Sequence, residues 1–460
     1  MVRFRPRGLS GRWPATLTAA ALAAATITAA TPMAGAAGSW FSSGQPQVQT
    51  VGQAGCGQNQ AGEPSIHVSP TGLVGISSEN GLLGGSQYWR GPSSAGPCGL
   101  TYAGQPNATN GFGLSGGDTD SAFAPDVSSA GTHRIYVASL NLGSVNVAVS
   151  TDDGATFSQT PVQAGLPLDD REWIAAYGAD TSLLTYHDIL TNNIDVLRSD
   201  NGGALYVHSS RVIPDTDYKA ANNELGNLVI DHRNPSPVAG QFFAYQSFVA
   251  PSSAAGTTND EAFVGVSDDG GQSWTTKPVP CTTSFGKTGL DHNFPNISVA
   301  PDGTLYYAVS NDTSVYVARS ADHGDHWTCS GPVSTTKNAV FPWLVATSNG
   351  VDLVYYGTPD TVAPGAADTR TWYVYFAQSA TGGLGGFSTQ QVVPVHQGAI
   401  CEGGVTCSGG RQLFDDFGVD TDPNGNAHIA YTMDSPSLGG SGSATGYAVQ
   451  TGGTPAGYPN

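Results

Sequence analysis

The chain has 460 residues, of which 12% are charged, and its 17 Lys and Arg stand against 36 Asp and Glu for a formal net charge of −19. Phosphate contacts need clustered basic side chains, so this balance argues against nucleic-acid binding. Helix formers such as Lys, Glu and Met are scarce while Gly, Thr, Ser, Val and Tyr are abundant, which excludes a long helical bundle.

The first predicted element is a secretory signal peptide over residues 1–36. Four arginines within the first twelve residues form a positive leader, an apolar stretch runs to about Met33, and Ala34-Gly35-Ala36 is a small-residue cleavage pattern. The alternative is a weak membrane anchor, although the stretch is rich in Ala and Thr rather than Leu. We expect cleavage near Ala36, secretion into the extracellular space and no membrane span.

All six cysteines follow the predicted signal peptide. An even number of cysteines in an exported chain indicates disulfides, but six allow many pairings, so the sequence alone does not decide among them. A metal cluster is the alternative, and no Cys-x2-Cys pair or His-rich segment supports it. We predict pairing of near neighbours: Cys56–Cys98, Cys281–Cys329 and Cys401–Cys407.

A repeat of alternating strands that end in serine runs through the chain. The five copies are 145–150, 194–199, 262–267, 315–320 and 374–379. Three of them continue into a turn of the form Ser-x-Asp-x-Gly followed by an aromatic residue, with Asp152, Asp269 and Asp322 at its centre. The aspartate can accept backbone N–H groups inside such a turn, and glycine takes its positive-φ position.

The repeat predicts an all-β chain. Each copy is preceded by a polar segment and two apolar strands, and seven such segments begin near Glu63, Asp118, Asp169, Asn223, Asp291, Asn338 and Leu413. Seven starts predict a β-propeller of seven four-stranded antiparallel blades. Six blades is the alternative, because the first copy lacks a visible turn motif. A segment near Gln47–Val51 is the predicted closing strand for the last blade.

The turn motif resembles the Asp-box, or BNR repeat, of the sialidase-superfamily β-propellers of secreted bacterial type. The resemblance covers about Glu63 to Met433 and implies that Asp152, Asp269 and Asp322 are structural and lie away from the central cavity. The predicted organisation is a signal peptide (1–36), an N-terminal segment with a closing strand (37–62), the propeller (63–434) and a Gly/Ser-rich C-terminal segment (435–460).

In such a ring, the segments that lead into the innermost strands open on one face and carry many carboxylates. Crowded carboxylates raise one another's pKa or bind a cation, and a protonated acid beside an ionised carboxylate is what glycoside hydrolysis needs. The predicted catalytic residues are Asp170, Arg171, Glu224, Asp291, His292 and Asp416. The predicted substrate-binding residues are Glu63, Asp118, Asp169, Trp343, Arg411 and Asp415. The alternatives are an acidic solvated rim, a structural His292 and a Trp343 that packs in the core.

Sialidases use three arginines on the substrate carboxylate, and their first blade begins with Arg-Ile-Pro. Here that place contains Glu63-Pro64-Ser65-Ile66, and only Arg171 and Arg411 fall at the predicted cavity entrance. We therefore expect a glycoside hydrolase acting on a neutral or weakly charged extracellular glycan rather than a strict sialidase.

Two other functions stay open at this point. The chain is alternatively a non-catalytic propeller that binds carbohydrate or protein, or a lyase that uses His292. We expect a monomer that requires no cofactor, and calcium is plausible among so many oxygens.

Overall fold

The computed structural model describes residues 40–80, 85–107, 117–141, 144–161, 169–282, 290, 294–361, 363–365, 369–404, 407, 412–415, 417–434 and 442–459. These residues belong to the unit Pro32–Asn460. The predicted signal peptide lies outside the described residues. Among the residues described, no helix has the length and apolar character needed to cross a membrane.

The strands form seven four-stranded antiparallel sheets, which we call blades 1 to 7. Blade 1 consists of β2 (Gly62–Val68), β3 (Leu73–Glu79), β4 (Ser86–Pro92) and β5 (Thr101–Gly104). Blade 2 consists of β6 (Thr119–Val127), β7 (His133–Asn141), β8 (Ser144–Ser150) and β9 (Ser158–Pro161). Blade 3 consists of β10 (Asp169–Tyr177), β11 (Thr181–Asp188), β12 (Asn193–Ser199) and β13 (Val207–Arg211).

Blades 4 to 7 continue in the same order. Blade 4 consists of β14 (Glu224–Ile230), β15 (Ala244–Ala250), β16 (Glu261–Ser267) and β17 (Thr275–Val279), and blade 5 of β18 (Asn296–Val299), β19 (Leu305–Ser310), β20 (Val315–Ser320) and β21 (Thr328–Cys329). Blade 6 consists of β22 (Asn338–Ala346), β23 (Val351–Thr358), β24 (Thr371–Ser379) and β25 (Ser388–Gln397). Blade 7 consists of β26 (Gly418–Thr421), β27 (Ala427–Asp434), β28 (Ser443–Gln450) and the N-terminal strand β1 (Phe41–Gly44).

The first strands of the blades form a closed ring. Each contacts the first strand of the next blade, and β26 of blade 7 contacts β2 of blade 1. One central cavity is lined by residues from all seven of these strands. The fold is therefore the predicted all-β propeller, and the blade number is seven rather than six.

The closing strand lies in the predicted N-terminal segment 37–62, but at a different position from the predicted one. β1 (Phe41–Gly44) pairs antiparallel with β28, whereas the predicted segment Gln47–Val51 forms a turn in which the Gln47 side chain accepts the Thr50 N–H at 2.9 Å. Val51, at the end of this segment, is 65% exposed, but Phe41 is buried. The closing strand forms around Phe41, because this residue buries apolar surface. Its polar neighbours in the stretch Phe41-Ser-Ser-Gly44 make the strand hard to recognise in the sequence.

The described part of the C-terminal segment, 442–459, has more regular structure than its Gly/Ser-rich composition predicts. It contains β28, the third strand of blade 7, in which seven of the eight residues are buried. Beyond this strand, the Tyr458 hydroxyl donates to the Val68 carbonyl at 2.9 Å, and the Ala456 N–H donates to the Gly425 carbonyl at 2.9 Å. The propeller thus includes residues that we assigned to a separate segment.

The fraction of buried residues falls from the middle strands of a blade to its outer strand. Every residue of β15 and β23 is buried, because a middle strand has a neighbouring blade on each face. The outer strand β13 has no fully buried residue. The three predicted disulfides are confirmed: Cys56–Cys98, Cys281–Cys329 and Cys401–Cys407. Disulfides of this kind are typical of proteins that mature in an oxidising compartment.

Asp352 in β23 makes stability depend on pH. Burial raises its pKa to about 7, although the Gln378 amide donates to one of its oxygens at 2.9 Å. A raised native pKa stabilises the fold fully below the unfolded pKa near 4, and the contribution is lost as the pH rises through about 7. Between pH 5 and 8 this loss should reach about 2–3 kcal/mol. The free energy of unfolding of Asp352→Asn, measured by chemical denaturation at pH 5 and 8, should differ between the two pH values by about 2–3 kcal/mol less than that of wild type. An identical difference in both proteins would contradict the assignment.

Candidate functional site at the mouth of the ring

We call the end at which the seven innermost strands begin the mouth, and the opposite end the base. Near the mouth, the first strand pair is out of register in blades 1, 3, 4 and 6. In blades 1, 3 and 6 the irregularity contains a residue with left-handed backbone, namely Glu63 (φ 51°), Arg171 (φ 46°) and Phe341 (φ 52°). Such bulges redirect side chains, and non-glycine residues with positive φ persist only where the surroundings hold them.

Arg171 joins three blades at this end. Its Nη2 lies 2.7 Å from Asp415 Oδ2 and 3.7 Å from Glu63 Oε1. The guanidinium carbon lies 3.1 Å from the centroid of the Phe294 ring, and the Asp415 N–H donates to Glu63 Oε1 at 3.2 Å. All four side chains are buried. The group, which we call the arginine cluster (Glu63, Arg171, Phe294 and Asp415), fixes blades 1, 3 and 7 relative to one another.

The carboxyl groups on either side of Arg171 share a raised pKa. Burial, reinforced by Asp118, raises the pKa of Asp170 and raises that of Glu172 well above its usual range. Burial, reinforced by Asp188 and Asp195, raises the pKa of Asp169 to about 7. This end of blade 3 therefore places carboxyl groups of raised pKa beside further carboxyl groups, an arrangement that proton-transfer catalysis uses.

Access separates these carboxylates into two sets. Asp170, Asp118 and Glu224 are half-buried at the starts of blades 3, 2 and 4. Glu63, Asp169 and Asp415 are buried, although we predicted them as substrate-binding residues. Glu63 and Asp415 instead hold Arg171.

Trp343 lies deeper than a rim residue. It is half-buried in β22, lines the central cavity, and packs against Trp173 with 5.3 Å between the ring centroids. This arrangement agrees with the alternative of core packing. Four other predicted site residues, Asp291, His292, Arg411 and Asp416, lie outside the described residues.

Asp120 and Asp420, which lie in innermost strands, join adjacent blades. Asp120 Oδ2 accepts the Ile174 N–H at 2.9 Å, and Asp420 Oδ2 accepts the Val68 N–H at 2.7 Å. The Asn296 side chain likewise accepts the Leu344 N–H between blades 5 and 6. These contacts between neighbouring innermost strands mark a structural role.

The three Asp-boxes are self-contained turns between the third and fourth strands, at the base. The Ser150 hydroxyl donates to Asp152 Oδ1 at 2.7 Å, and the Thr156 N–H donates to the same oxygen at 2.9 Å. Partial burial acts to raise the pKa of Asp152, but these hydrogen bonds hold it below its usual value. Asp269 and Asp322 make equivalent contacts with their own turns. The geometry agrees with the structural role that the resemblance implies.

Three residues of the mouth were absent from our candidate set: Glu79, Glu172 and Phe294. Glu172 stands beside Asp169, Asp170 and Arg171, so its charge was the available signal. Glu79 ends β3, so its place at the loop between the second and third strands of a blade was the available signal. Phe294 precedes β18, and no local pattern distinguishes it from an ordinary core residue.

No protein-family model matches the chain, and no curated protein matches it. Solved structures similar to it include a GH74 enzyme of Niastella koreensis, with 16% identity, a TM-score of 0.48 and coverage of 88% of this chain and 53% of that one. A GH93 α-L-arabinofuranosidase of Fusarium graminearum has 12% identity, a TM-score of 0.47 and coverage of 85% and 93%. A PL25 ulvan lyase has 10% identity, a TM-score of 0.50 and coverage of 85% and 94%.

The chain thus spans about half the length of the GH74 enzyme. At these identities, the likeness concerns the fold alone, and one fold supports many chemistries. Its similarity in fold to the ulvan lyase agrees with the ring described above.

Proposed function

We propose that this chain is a secreted glycoside hydrolase of the sialidase superfamily that acts at the mouth of the ring on an extracellular glycan. The observation that carries the proposal is the arrangement of half-buried carboxylates around the buried arginine cluster. Arg171 directly follows Asp170 in β10, and its ion pair with Asp415 anchors the strand that presents Asp170. The Asp-box turns support the superfamily, and the three disulfides support export.

In this mechanism, Asp170 donates a proton to the glycosidic oxygen of the leaving group. Glu224, which begins the innermost strand of the next blade, acts as the ionised partner on the anomeric carbon, directly or through a water molecule. Arg171 is a positioning residue, because it is buried and its guanidinium contacts Asp415 and Phe294. The acidic mouth disfavours anionic sugars, so the expected substrate is neutral or weakly charged.

The test is turnover of a panel of neutral polysaccharides, measured as released reducing ends. Asp170→Asn and Glu224→Gln should each lower kcat by roughly 100- to 10,000-fold, the usual contribution of a positioned acid or base. Glu261→Gln, in the same blade as Glu224 and at the same end, should retain activity. Unchanged turnover in both mouth variants would remove the proposed acid–base pair.

A binding propeller without catalysis is the second candidate function. It is favoured by the arginine cluster, whose buried charged groups satisfy one another as they would in a purely structural site. Glycan binding without release of sugar, unaffected by Asp170→Asn, would establish this function instead. Release of an unsaturated sugar would indicate elimination and favour the lyase alternative.

A further inference from the structure

Three carboxylates from blades 1 and 2 converge beside the arginine cluster. Glu63 in β2, Glu79 at the end of β3 and Asp118 just before β6 each place one oxygen so that all three atoms lie within 4.8 Å of one another. Glu63 and Glu79 are buried, and Asp118 is half-buried. Like charges this close in a poorly solvated site repel one another unless a proton or a cation intervenes.

A fourth carboxylate, that of Glu172 in blade 3, supports a cation-binding site here. Its side chain is 2% exposed, and neither of its oxygens has a hydrogen-bond partner on another described residue. It lines a small cavity together with Glu63 and Asp118. Burying an unpartnered carboxylate is costly, and native structures normally supply a partner.

The cavity is small, with room for one water-sized species, so it suits a single ion. Among the described residues that line it, Arg171 is the one cation; its Nη2 lies 2.7 Å from Asp415 Oδ2 and 3.7 Å from Glu63 Oε1.

The donor atoms decide which ion fits. All are carboxylate oxygens, which favour hard cations over zinc or copper. Calcium accepts 6–8 oxygens at about 2.3–2.6 Å in irregular geometry, so its ligand oxygens can lie up to about 5 Å apart. Magnesium demands a regular octahedron at about 2.0–2.1 Å, which four carboxylates from three blades do not easily provide.

We propose that Glu63, Glu79, Asp118 and Glu172 bind one calcium ion at the mouth. The ion would join blades 1, 2 and 3 and neutralise part of the acidic mouth. This site is independent of the proposed hydrolase activity, because its test measures binding and thermal stability and requires no substrate.

The experiment uses the secreted chain after removal of metal with a chelator. Titration calorimetry with CaCl₂ should show one ion per chain, and MgCl₂ should bind at least tenfold more weakly. Glu79→Gln should weaken calcium binding at least tenfold. Glu261→Gln, a glutamate at the same end in blade 4, should bind as wild type does. No binding at millimolar calcium, equal binding by Glu79→Gln, or tighter magnesium binding would overturn the proposal.

Thermal unfolding distinguishes a ligand from a merely structural glutamate. Calcium should raise the Tm of wild type, whereas the Tm of Glu79→Gln should rise little when calcium is added. If Glu79→Gln does not fold, Asp118→Asn, whose side chain is half-buried, replaces it. A calcium-induced rise in Tm that both variants retain in full would exclude these ligands.

Discussion

Replacing Arg171 with alanine should lower the free energy of unfolding by about 3–5 kcal/mol, the usual cost of removing one partner from a buried ion pair. The substitution leaves the carboxylates of Glu63 and Asp415 buried without the cation that lies 3.7 and 2.7 Å from them. It also removes the group that packs over the Phe294 ring. Urea denaturation monitored by tryptophan fluorescence measures the change.

Arg134→Ala is the matched control. Arg134 forms an ion pair of 2.6 Å with Asp180, whose side chain is 58% exposed, so its loss should cost at most about 1 kcal/mol. Arg171→Lys keeps the charge but loses the planar fork, and should fall between alanine and wild type. Equal costs for Arg171→Ala and Arg134→Ala would show that the arginine cluster adds no stability.

The same substitution tests the positioning role. If Arg171 holds the strand that presents Asp170, Arg171→Lys should lower kcat by roughly tenfold or more while changing KM little, because a small displacement of an acid affects mainly the transition state. A rise in KM with unchanged kcat would indicate that Arg171 contacts the substrate directly.

The blades were predictable because their signals are local. Each Asp-box carries its serine, aspartate and glycine within five residues, and its hydrogen bonds close inside the turn, as from Gly324 N–H to Ser320 Oγ at 2.9 Å. Strand alternation is equally local. Seven repeated starts then imply the ring, so fold class and blade number follow from the sequence.

The partners within the site were not predictable, because they are far apart in the chain. The bond between Arg171 and Asp415 spans 244 positions, and that between Asp415 and Glu63 spans 352. Charge patterns identified all three residues as candidates, but not that they neutralise one another. The position of the closing strand was mispredicted for a similar reason. Its partner β28 lies near the other end of the sequence, and two serines weaken the apolar pattern of β1.

The unpredicted partners of the site and the mispredicted closing strand both belong to the region where the ring closes. Glu63 belongs to blade 1 and Asp415 to the segment that leads into blade 7, so their hydrogen bond crosses the seam where the first and last blades meet. Asn59 crosses the same seam and exchanges two hydrogen bonds with the backbone of Thr445 at 2.7 and 2.9 Å. The seam lies beside β1, which completes blade 7. Loosening β1 should therefore weaken both the fold and the mouth.

Phe41→Ala tests this dependence. Phe41 is 4% exposed and packs edge-to-face on Phe376 at 5.0 Å between centroids, so its truncation should cost about 3–5 kcal/mol. Val51→Ala, in the segment first predicted to close the ring, should change stability by less than about 0.5 kcal/mol. Because β28 then has a weakly held edge, Phe41→Ala should also increase self-association in light scattering. Equal stability of the two variants would mean that closure does not depend on β1, and that the contacts of the seam hold the ring by themselves.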